Sequence, residues 1–100
     1  MNIYKVTQDI NNDYDTYDSI IVYANNEDEA RHIHPYRGLC DENGYFKKQD
    51  PRFDLQWIDD GFDSDSWVSF NKINLLEIEL IGETKESVEP DVILASYNAG

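Results

Sequence analysis

The apolar positions of this chain fall into short runs separated by polar stretches. Residues 3–8 alternate, with Tyr4 and Val6 on one side and Ile3, Lys5 and Thr7 on the other, which predicts a strand with one buried face. Residues 19–24 predict a second strand. Its Ile20-Ile-Val-Tyr-Ala24 run is apolar on both faces and β-branched, the pattern of a central strand covered on both sides, or on one side by a helix. The clearest alternation lies in residues 73–81, where Leu76, Ile78 and Leu80 interleave with Glu77 and Glu79 to give one dry and one wet face. Residues 92–96 are apolar on both sides and predict a place in the middle of the sheet, and residues 67–70 a short strand or strand edge.

One helix is predicted, over residues 26–34. Asn26 can cap it, Glu27, Asp28 and Glu29 complement the positive end of its dipole, and Glu29 stands where a capping box needs it. Ala30 and Ile33 form its buried side, and Pro35 restricts His34 and ends it. Between residues 35 and 66 periodicity is lost, while Gly38, Asn43-Gly44, Pro51 and Gly61 punctuate scattered aromatics. A structureless loop of that length is unusual inside a small domain. Packing of Phe53, Leu55, Trp57 and Ile58, with a short hairpin around Asn43-Gly44, is the expected source of order. The elements together predict a single α+β domain over residues 1–100. It has a four- to five-stranded antiparallel or mixed sheet, the helix on one face and a long ordered insertion, with the first and last strands as candidate neighbours.

Charge sharpens this picture. The 21 acidic against 8 basic residues leave a formal charge of −13, which makes bare nucleic acid or an anionic membrane an unfavourable partner and points to cations or basic protein surfaces. The imbalance is segregated. Seven acids and no Lys or Arg lie in residues 9–29, and five acids and no basic residue in residues 54–66. Arg31, Arg37, Lys47, Lys48 and Arg52 fall between the two patches, so the middle is locally positive. Both patches mix carboxylates with aromatics: Asp13, Asp15 and Asp18 with Tyr14 and Tyr17, then Asp59, Asp60, Asp63 and Asp65 with Phe62 and Trp67. Aromatic anchors beside carboxylates suit a basic partner. The alternative is two solvated loops whose aromatics plug the core, an even choice for Trp57 and Trp67.

Candidate chemistry is sparse. Asp9, Asn11, Asp13 and Asp15 match the first four ligand positions of a calcium loop, but Tyr14 replaces the required glycine and Ile20 the bidentate glutamate. His32, His34 and Cys40 have a spacing that zinc can use, although two histidines two apart on a helix point to different sides. Cys40 is the single cysteine, which excludes an intramolecular disulfide and fits a reducing cytoplasm. The N-terminal residues have neither a basic start nor a signal-length apolar run, and no stretch reaches the ~20 apolar residues of a membrane span. No nucleophile elbow, phosphate loop or dinucleotide glycine pattern occurs, so a non-enzymatic protein without cofactor or metal is the expectation.

The blocks Asn12-Asp-Tyr-Asp-Thr-Tyr-Asp-Ser19, Ala30-Arg-His-Ile-His-Pro35 and Ile93-Leu-Ala-Ser-Tyr-Asn-Ala-Gly100 resemble small, mostly uncharacterised proteins carried by bacteriophages and prophages. The resemblance implies a phage origin and a site of action in the host cytoplasm; it supplies no activity. Small acidic phage proteins without enzymatic motifs are similar in character to inhibitors of host defence, including anti-CRISPR proteins and other nucleic-acid mimics. The expected function is therefore a non-enzymatic inhibitor that binds a basic surface of a nuclease or nucleic-acid-binding complex. Its expected contacts are Asp13, Tyr14, Asp15, Tyr17, Asp18, Asp59, Asp60, Phe62, Asp63, Asp65 and Trp67. A calcium-type module or small metal-dependent enzyme on residues 9–18, and a structural or oligomeric phage component, are the alternatives.

Overall fold

A computed structural model describes residues 1–8, 16–35, 37–46, 56–57, 67–85 and 88–98. In chain order its elements are β1 (Asn2–Thr7), β2 (Thr16–Ala24), α1 (Glu27–Arg31), β3 (Ile33–His34) and β4 (Gly38–Leu39), then a 3-10 helix (Phe70–Leu75), β5 (Glu77–Glu83) and β6 (Asp91–Asn98). The fold is α+β. Four strands form one antiparallel sheet in the order β5-β1-β2-β6, and β3 and β4 form a two-stranded ribbon.

Strand register sorts side chains onto two faces. Tyr4 stands opposite Val22 and Leu80, and Val6 opposite Ile20 and Ile78, so these residues share the inner face. There Tyr4, Val6, Ile20, Val22 and Ala24 join Ala30 of α1, Ile33, Cys40, Phe46, Trp57, Trp67, Val68 and Leu76 in one buried cluster. Ile3, Lys5 and Thr7 stand opposite Tyr23, Ile21 and Ser19 on the other face. The central place predicted for residues 19–24 is what β2 occupies, with its inner side covered and its outer side half-exposed at Ile21 and Tyr23. Strand β6 pairs only with β2 among the described strands, so residues 92–96 lie at an edge, not in the middle. The first and last strands are separated by β2. Val92 and Ala95 of β6 pack against the core on its inner side, while Leu94 on its outer side is 64% exposed.

The predicted helix starts as expected and stops early. Asn26 is the N-cap, and its side-chain oxygen accepts from the Glu29 N–H at 2.8 Å. Glu29 Oε1 reaches back to the N–H of Asn25 at 2.8 Å, one residue beyond the usual capping-box partner. His32 ends the helix: its Nδ1 lies 2.6 Å from the Asp28 carbonyl, and because a carbonyl only accepts, Nδ1 carries a proton. Ile33 and His34, expected in the helix, are instead extended in β3, the conformation that Pro35 favours for the residue before it.

Two further boundaries move. Residues 67–70 form no strand, since Trp67 and Val68 are buried in irregular chain and Phe70 opens the 3-10 helix. That helix also takes Ile73 to Leu75 from the predicted strand, so β5 begins at Glu77. Arg31 explains the difference. Its Nη1 donates to the carbonyls of Ile73, Asn74 and Leu76 at 3.1, 3.3 and 2.7 Å, satisfying acceptors that an extended chain would spread apart. The turn expected at Asn43-Gly44 is present. The Gly44 N–H donates to Asp41 O at 3.0 Å, Cys40 bridges Phe46, and Gly44 takes φ 86°, where a Cβ would meet Phe70 and the Trp57 carbonyl at 3.3 Å. Trp57 is buried as expected, whereas Phe53, Leu55 and Ile58 lie outside the described residues.

Candidate functional site

Of the residues expected to meet a partner, Tyr17, Asp18 and Trp67 are described, and Asp13, Tyr14, Asp15, Asp59, Asp60, Phe62, Asp63 and Asp65 lie outside the described residues. Asp18 is exposed. It is the extra residue where the β2–β6 register shifts between Tyr17 and Ser19, and its carbonyl accepts from the Gln8 N–H at 3.4 Å. Tyr17 is half-buried against the core, and its carbonyl accepts from Gln8 Nε2 at 2.5 Å. Both ends of the first acidic stretch are therefore tied to the sheet through Gln8. Trp67 is 0% exposed and belongs to the core cluster, so in this conformation its ring supports the fold and offers no surface to a partner. Burial follows from size: an indole removes more apolar area from water than other side chains do.

The metal candidates occupy different environments. His34 is fully buried, edge-on to Trp57 at 5.0 Å and to Phe46 at 5.7 Å, whereas His32 is half-exposed at the end of α1 and edge-on to Phe70 at 5.8 Å. Among the described residues no group of three or more His, Cys, Asp or Glu is placed to hold a metal ion. The calcium-loop residues Asp9, Asn11, Asp13 and Asp15 lie outside the described residues.

Sequence reasoning missed a cleft of about 380 Å³ between α1 and the turn after β4, where Asp28, Glu29, Asp41 and Glu42 gather around His32 and Cys40. Two of its four carboxylates already serve the backbone. Glu29 Oε1 accepts from Asn25, and Asp41 Oδ1 accepts from the N–H groups of Asn43 and Tyr45 at 2.8 and 3.0 Å. The Cys40 thiol is buried, which leaves it a small packed hydrophobe rather than an exposed nucleophile. Cap and turn chemistry thus accounts for Glu29 and Asp41, two of the acids that line the cleft. The turn sequence Asp41-Glu-Asn-Gly44 signalled Asp41 alone; nothing in the spacing placed it beside α1.

Surface charge is more informative. Among the described residues Asp18, Glu27, Asp28, Glu42, Glu77, Glu79, Glu83 and Glu89 are exposed, against Lys5, Lys72 and Lys85. The two described arginines are drawn inward, Arg31 to its three carbonyls and Arg37 over the Phe46 ring at 5.9 Å. Cations that the sequence placed between the acidic stretches are therefore partly committed to the fold. No helix among the described residues is long and apolar enough to cross a membrane. No protein-family model, curated protein or solved structure matches this chain.

Proposed function

We propose that this protein is a non-enzymatic acidic inhibitor that binds a basic surface of a host protein handling nucleic acid, in the manner of phage-borne anti-defence proteins. One observation carries the reading: eight carboxylates stand exposed against three lysines among the described residues, on a chain of net charge −13. A carboxylate-rich surface competes for channels whose lysines and arginines otherwise meet phosphates. Binding of this kind is steered by charge and weakens as salt screens the ion pairs. The two acidic stretches at residues 9–18 and 54–66 supply further carboxylates for the same partner.

The test is capture from host lysate on immobilised protein at about 50 and about 500 mM NaCl. It is followed by assay of the captured complex for nuclease or nucleic-acid binding with and without added protein. The expected result is a basic complex retained at low salt and inhibited in proportion to the protein added. Retention that is indifferent to salt, or a complex whose activity the protein leaves unchanged, overturns the reading.

A further inference from the structure

We infer that the outer face of the four-stranded sheet is the surface on which the basic partner docks, and that this partner presents an apolar centre ringed by lysine or arginine. The inference rests on the cationic-partner reading above and names its surface. Register lays the outer face out in rows from β5 to β6. One row is Gly82, Ile3, Tyr23 and Asp91; the next is Glu79, Lys5, Ile21 and Leu94. Ile3, Tyr23, Ile21 and Leu94 therefore form a continuous apolar block across three strands.

None of the four belongs to the buried cluster, and Leu94 is among the most exposed apolar residues described. Among the described residues, the elements that cover the sheet contribute their buried side chains to the inner face. The block is half-exposed at Ile3, Ile21 and Tyr23 and exposed at Leu94, and an apolar block of this kind marks an interaction surface when polar residues rim it.

The rim selects the partner. Glu79 flanks Lys5 on one side of the block, Glu77 lies in the following row opposite Thr7, and Asp91 closes the β6 side opposite Tyr23. Three carboxylates against one lysine oppose a second copy of this chain, which would bring the same rim and another charge of −13. They favour a basic surface instead. Strand addition at the sheet edges is a poorer route, because both edge strands carry a register shift, at Ile81 in β5 and Ile93 in β6. Docking on the face needs no backbone pairing.

Two synthetic peptides of equal length and charge provide the probe, one alternating leucine with lysine and one alternating serine with lysine. Each is titrated into the isotopically labelled protein while amide shifts are followed by NMR. The Leu94→Ser variant is measured in parallel, after its melting temperature is shown to match the parent. The inference expects shifts centred on Ile3, Lys5, Ile21, Tyr23 and Leu94 with the leucine peptide, and weaker binding by the serine peptide. It expects affinity for the leucine peptide to fall about tenfold in the variant, the loss that goes with one deleted apolar contact of this size. Equal binding of both peptides with shifts elsewhere and no effect of Leu94→Ser overturns the docking face and leaves the cationic-partner reading standing. No binding by either peptide overturns both.

Discussion

Trp57 and Trp67 lie in the same buried cluster but differ in what the indole N–H meets. Trp57 Nε1 donates to the Val68 carbonyl at 3.0 Å, whereas Trp67 Nε1 is buried without an acceptor. Replacing either ring with phenylalanine removes similar apolar volume. Trp57→Phe also strands the Val68 carbonyl, while Trp67→Phe deletes a buried donor that was costing stability. Trp57→Phe is therefore expected to destabilise the protein by about 1–3 kcal/mol more than Trp67→Phe in urea unfolding. Equal losses, or the reverse order, would show that ring packing alone sets the cost. In sequence the two tryptophans were indistinguishable as core or interface, because a ring flanked by aspartates fits either role until its neighbours are known.

At the scale of elements, the boundary between the 3-10 helix and β5 depends on a residue far away in sequence. Arg31 sits at the end of α1 and holds the carbonyls of Ile73, Asn74 and Leu76. Arg31→Met keeps much of the apolar stem and removes the donors. The expected cost is about 1–3 kcal/mol, with faster amide exchange at Lys72 and Leu76, whose N–H groups close the 3-10 turns on Ser69 and Ile73. Unchanged exchange at those two amides would place the turn's stability in Phe70 and Ile73 packing instead. The edge strands follow a related logic. Each departs from regular pairing near an exposed isoleucine, which spoils the template that a long flat edge offers to another strand.

For the whole molecule the dominant quantity is the charge of −13. With eight exposed carboxylates and three exposed lysines among the described residues, folding gathers like charges that the unfolded chain keeps further apart. Added salt screens that repulsion, so the melting temperature is expected to rise between about 10 and about 500 mM NaCl. A relief of about 1 kcal/mol corresponds to roughly 4–8 °C in a domain of this size. A melting temperature that is flat or falling with salt, followed by circular dichroism, would mean that the acids are dispersed widely enough to be screened already. The same charge makes salt the control for the binding experiments, because stability and partner affinity should respond to it in opposite directions.

What the sequence determined by itself is local. The strand periods at Tyr4 and Val6, the Asn26 cap with Glu29 reaching back, and the turn at Asn43-Gly44 rest on residues a few positions apart, so the pattern that encodes them is contiguous. Much of the candidate site was legible only as charge: two acidic stretches with aromatics, of which Asp18 stands exposed at the sheet margin and Trp67 is enclosed. The apolar outer face was hidden in plain composition. Ile21, Tyr23 and Leu94 are the residue types of a covered strand, and only the order β5-β1-β2-β6 and the stacking of every described cover element on the inner side leave Ile21 and Tyr23 half-exposed and Leu94 exposed. Strand order, edge position and burial were decided by tertiary structure, because they depend on pairings between distant segments to which the same alternation of Val, Ile and Leu lends itself equally in several arrangements.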